Sequence, residues 1–200
     1  MSIYVLPDCP TDCSGVLEPV SFSECAPEVH FGEIAKLYLW VDSTTPPFAD
    51  LAAYNDWDEW FTHIYVFNAA LAFDDPANAP LVNSILAFTV IGEMPEPEQT
   101  ETSISGDRTV VGYKKFVLNL EIDETNEANY NFILASECNG KYKANFETAD
   151  GLLYGGWQGL DVSVKMNQVI PKERTGVVKI MTKVTWSSKN SPFRQLAVYA

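Results

Sequence analysis

Short β-rich runs, each closed within about a dozen residues by Gly, Pro, Asn or Asp, fill most of this chain and restrict its fold more than any bulk property. The clearest lie in the second half. Thr109 to Glu121 carries Val111, Tyr113, Phe116, Leu118 and Leu120, and Lys141 to Phe146 alternates Tyr142, Ala144 and Phe146 with Lys141, Lys143 and Asn145. Leu160 to Ile170 and Val177 to Trp186 repeat the pattern around Pro171. Asn129 to Ser136, with Tyr130, Phe132 and Leu134 at two-residue steps, reads as another strand, and Asn139-Gly140 as the hairpin turn after it. Asp150-Gly151 and the glycines from Gly155 to Gly159 supply further corners.

In the first half, His30 to Val41 predicts one long strand ended by Thr44-Thr45-Pro46-Pro47, and Leu81 to Gly92 predicts another. The β-branched and aromatic residues of Ile64 to Phe73 favour strand over helix. From Phe48 to Phe61 the apolar residues Phe48, Leu51, Tyr54, Trp57, Trp60 and Phe61 recur at helical spacing, with Asp50, Asp56, Asp58 and Glu59 between them. The expectation is a mainly β protein, an antiparallel β-sandwich or barrel with one short helix. Residues 1–29, rich in Pro, Cys, Ser and acids, read as an extended N-terminal arm, and residues 30–200 as a single β-rich domain. Within that domain, the Pro-rich acidic stretch 93–108 reads as a long exposed loop.

Composition narrows the partners. With 46% hydrophobic residues in 200, the chain can bury a sizeable core, yet no apolar run approaches the roughly 20 residues of a membrane span. The formal net charge of −14 disfavours a broad contact with nucleic-acid phosphates. That charge is unevenly placed: residues 1–107 hold one cation, Lys36, against 18 acids, whereas residues 108–200 hold 12 cations against 9 acids. An acidic half and a weakly basic half suit heterologous contact between copies of the chain. The N-terminus lacks the basic and apolar regions of a secretory signal, so export by that route is not expected.

Sites of chemistry are poorly represented. Cys9, Cys13 and Cys25 cluster, with Cys138 far away, and His30 is the one nearby imidazole; free thiols are the default, a disulfide would need an oxidising compartment, and the Cys-x3-Cys spacing is looser than that of a familiar zinc site. His63 sits among aromatic residues, where packing explains it better than general-base catalysis does. No nucleophile elbow, His-Glu-x-x-His pair or phosphate loop occurs, and no cofactor is expected. Asp56, Trp57, Asp58 and Trp60 form the best alternative site, a carbohydrate- or receptor-binding face on which tryptophan would stack against sugar beside a carboxylate. The spacing there does not fit an EF-hand calcium loop.

Two segments carry a family resemblance. Cys25-Ala26-Pro27-Glu28-Val29-His30-Phe31-Gly32-Glu33-Ile34 resembles the opening of small virion structural proteins from phages of the Bacteroidetes group. Gly140-Lys141-Tyr142 through Asp150-Gly151 and Pro171 to Lys179-Ile180-Met181 and Thr185-Trp186 is similar to the C-terminal strand series of phage tail-tube and related ring proteins. The resemblance implies a non-enzymatic virion subunit, made in the host cytoplasm, whose copies form rings stacked into a tube around an acidic DNA-conducting lumen. Partners would be further copies of the chain and other virion proteins, without specific nucleic-acid binding and without a membrane. A head decoration, connector or collar protein is the alternative within the same particle. Trp40, Phe48, Tyr154 and Trp157 are the aromatic residues expected to anchor the subunit interface.

Overall fold

A computed structural model describes residues 32–41, 47–64, 85–104, 108–125, 127–138, 141–173 and 176–198. The arm 1–29, Cys9, Cys13, Cys25, His30 and most of the strand expected over residues 64–73 lie outside the described residues. Among the described residues, nine strands and three short helices follow one another as β1 (Ile34–Val41), α1 (Leu51–Tyr54), α2 (Trp57–His63), β2 (Leu86–Glu93), β3 (Glu98–Ile104), β4 (Arg108–Ile122), α3 (Glu127–Cys138), β5 (Lys141–Thr148), β6 (Leu152–Tyr154), β7 (Leu160–Val169), β8 (Lys179–Ser188) and β9 (Arg194–Leu196).

The strands β1, β2, β4, β8, β7 and β5 pair in that order, and β5 pairs back onto β1, so six antiparallel strands close into a barrel. The fold is mainly β, as the alternation predicts. Its interior takes every second residue of each strand: Leu37 and Leu39 from β1, Phe116, Leu118, Leu120 and Ile122 from β4, Val162, Val164 and Met166 from β7, with Ile180, Val184 and Trp186 from β8. Trp186 stacks on Phe116 with ring centroids 5.0 Å apart.

β1 is apolar on both faces because both are covered. Its other residues, Tyr38 and Trp40, join Phe48, Tyr54, Trp60, Ile85, Leu153 and Ala197 in a second core outside the barrel. The helical segment there is broken at Asn55 into two pieces, each with its own aspartate cap. Asp50 accepts from the Ala53 amide at 2.9 Å, and Asp56 from the Asp58 amide at 3.0 Å. The corner between β6 and β7 closes over this core. Gly159 has φ +69°, and a Cβ there would overlap the Trp40 ring, so both conformation and space demand glycine.

Two expectations are corrected. Residues 127–138 form helix α3, not a strand, and Asn139-Gly140, itself outside the described residues, lies between helix and strand and not between two strands. The buried positions are Ile133 and Ser136, with Phe132 packed beside them, a helical spacing that a polar residue shares. Exposed Tyr130 and Leu134 supplied the misleading two-residue period. In the expected loop 93–108, Glu98–Ile104 is strand β3, paired antiparallel with β4 from Glu98↔Lys115 to Ile104↔Arg108. Its hydrogen bonds come from the backbone, which an acidic, Pro-flanked composition does not reveal.

Candidate assembly surface

β4 is the longest strand, 15 residues, and it outruns the barrel. Lys114 to Ile122 pairs with β8, and Asn119 to Glu121 with β2, but Arg108 to Val111 has β3 alone as partner among the described strands. A two-stranded ribbon therefore leaves the barrel wall, and the outer edge of β3 has no strand partner among the described residues. Tyr113 at its base is well exposed, with the Lys189 ammonium 5.7 Å from its ring centroid.

β2 and β3 share one edge of β4. Lys114 and Lys115 pair with Gln99 and Glu98 on one side and with Ser188 and Ser187 on the other, just as Asn119 to Glu121 pair with β2 and β8. Glu93 to Glu98 consequently runs along the edge away from β8, with Glu93, Glu96 and Glu98 exposed. Across the barrel wall, Glu93, Asn119, Lys183 and Lys165 fall in one register row on β2, β4, β8 and β7. Other lysines of this wall have carboxylate partners: Lys179 donates to Glu121 at 2.6 Å and Lys115 stands 3.9 Å from Glu98. Hydrogen bonding to Glu121 raises the Lys179 pKa. The end of the β7–β8 pair is apolar, with Val169, Ile170 and Val177 exposed, Ile170 to 74%.

The expected interface anchors do not share a surface. Trp40 and Phe48 are buried within the second core, so their apolar area is already used inside the subunit. Tyr154 is partly buried and stacks on Phe146 at 4.9 Å, and Trp157 is partly buried against the second core. The alternative sugar site also separates. Trp60 is fully buried, its indole N–H donating to the Tyr54 carbonyl at 2.7 Å, while Trp57 is 40% exposed. Asp56 is a helix cap and Asp58 lies in the first turn of α2, so one exposed ring stands where two were expected.

Titratable groups within the second core have structural partners. Glu147, nearly buried, accepts from the Tyr38 hydroxyl at 2.9 Å and from Lys36 at 3.4 Å, which engages the single cation of the acidic half. Burial pushes the Tyr54 hydroxyl well above the usual tyrosine range, and Asn145 donates to it at 3.0 Å. His63 lies 3.7 Å from Glu59, one helical turn away. Among the described residues no group of three or more His, Cys, Asp or Glu side chains could hold a metal ion, and no helix is long and apolar enough to cross a membrane.

Comparison with protein-family models, with curated proteins and with solved structures finds no match. The ribbon and the lysine row are features that reading by residue type missed. Alternation alone puts Lys165 and Lys183 on the outer face of their strands, but only the register sets them side by side.

Proposed function

We propose that this chain is a non-enzymatic structural subunit that assembles with copies of itself through its sheet and its ribbon, as a ring-forming, tail-tube-like component of a phage particle. The observation that carries the reading is the β3–β4 ribbon. Two strands without a third layer are marginally stable in water, so a ribbon that leaves the barrel is best satisfied by lying on, or pairing with, a neighbour. The exposed apolar end of the β7–β8 pair adds a second surface suited to contact. The virion assignment rests on the sequence resemblance, and the acidic first half of the chain suits a wall that repels DNA.

Light scattering coupled to size exclusion, with negative-stain imaging of the same fractions, tests the proposal. The full chain should form discrete rings or tubes. Replacing residues 102–110 by an Asn-Gly turn, which retains the Glu101↔Val111 pair, should leave a folded monomer. A full-length chain that stays monomeric at every concentration would overturn the reading.

A further inference from the structure

The outer wall of the barrel contains a local conflict. Lys165 and Lys183 are direct cross-strand partners on β7 and β8, and both side chains are exposed while Val164, Met166, Thr182 and Val184 beside them are buried. Directly opposed side chains of an antiparallel pair have Cβ atoms about 5 Å apart, a spacing at which like charges destabilise the sheet. Neither lysine has an ion pair among the described residues, unlike Lys115 and Lys179 on the same wall. Exposed Asn119, Asn167 and Met181 flank the pair.

The chain carries a matching group at the β2 edge of the same wall, in the register row of the lysine pair. Glu93-Met94-Pro95-Glu96-Pro97-Glu98 belongs to a stretch, residues 93–107, with five acids and no cation. Glu93, Met94 and Glu96 are exposed. The segment runs along the β4 edge opposite β8, so three strand spacings, about 14 Å, separate β2 from β7 along the wall. Reaching Lys165 from there would require crossing the faces of β4 and β8. Pro95 and Pro97 restrict the segment in advance, which lowers the cost of ordering it on a partner.

We propose that the Lys165 and Lys183 pair receives the acidic segment 93–98 of a second copy of this chain. Donor and acceptor lie in one register row of the same wall, so two copies can exchange the contact reciprocally about a two-fold axis, and a head-to-tail arrangement closes into a ring or continues as a filament according to the rotation between copies. Met94 of one copy then meets Met181 of the next, and the carboxylates of Glu93 and Glu96 neutralise the opposed ammonium groups. This inference rests on the self-assembly proposed above and adds one contact to those of the ribbon and the apolar β7–β8 end.

Charge reversal in two places tests it. K165E/K183E presents acid to acid and E93K/E96K presents base to base, so each alone should weaken association roughly tenfold or more while its thermal melt stays near that of the unmodified chain. An equimolar mixture of the two variants restores both kinds of contact and should assemble in alternation, and added salt should dissolve the assemblies of mixture and unmodified chain alike. Assembly of K165E/K183E alone at unmodified strength would overturn the inference and leave self-assembly standing, whereas a monomeric unmodified chain would remove both. Heparin retention lost in K165E/K183E with unchanged assembly would assign the lysines to a polyanion and overturn the inference too.

Discussion

At the scale of single residues, the second core shows how polar groups are buried here without loss of order. Tyr54 is fully buried, and its oxygen is approached by the Asn145 amide, which also donates to the Gly156 carbonyl at 3.1 Å. Gly155, with φ +124°, comes so close to Asn145 that a Cβ would collide with its side-chain Oδ1. The Tyr54 hydroxyl titrates above the ordinary value because burial disfavours the phenolate. Below about pH 10 folded and unfolded chains both hold the proton; above it the unfolded chain releases it first, so stability falls as pH rises. Lys179, raised by Glu121, acts in the same direction from the surface. In urea titrations on the alkaline side of about pH 10, stability of the unmodified chain should fall more steeply than that of Tyr54→Phe, by up to about 1.4 kcal/mol per pH unit. Near neutrality the variant should be less stable by about 1–3 kcal/mol, because the Asn145 amide and the Gly156 backbone lose the Tyr54 oxygen as a partner. Equal alkaline slopes would refute the assignment.

At the scale of elements, strands that build the barrel wall were legible and elements that depend on tertiary partners were not. β7 and β8 alternate buried and exposed positions because one face is interior and the other is wall, so over most of their length hydrophobicity and position carry the same message, with buried Thr182 and exposed Met181 as the departure. In α3 they diverge. Ile133 and partly buried Phe132 reach the barrel core, Phe132 within 5.3 Å of Phe88 and 5.6 Å of Tyr142, but Ser136 shares that face, its hydroxyl donating to the Ile133 carbonyl at 2.7 Å. Leu134 is nearly half exposed. Ile133→Ala should therefore lower stability by about 2–4 kcal/mol, whereas Leu134→Lys should change it by no more than about 0.5 kcal/mol. A strand would have given the opposite ranking for Leu134, so thermal melts of the two variants separate the structures. β6 and β9 have three residues each and were invisible to any period. The candidate surface was legible in its charges and illegible in its geometry, because counting acids and bases cannot supply a register.

At the scale of the whole molecule, closure divides the strands into two classes. β1 pairs with β2 on one edge and β5 on the other, so the barrel presents no free edge between its first and last members. Glu147, paired to β1 at Lys36, ties the same seam through side chains, with Tyr38 as its second donor. The ribbon formed by β3 and the start of β4 has no such enclosure. Opening it breaks a single ladder among the described strands, while opening any barrel strand breaks two ladders and the shared interior. Hydrogen exchange should therefore show two levels in the isolated subunit: barrel amides exchanging only through global unfolding, and those of Glu98–Ile104 exchanging many times faster through local opening. Assembly raises protection of the barrel amides together, through the stability that association adds. If neighbouring copies cover the ribbon, protection over residues 98–104 rises by a larger factor than that common gain. Protection gained throughout the barrel with the ribbon unchanged would mean that the copies meet elsewhere, and the ribbon would lose its role in assembly.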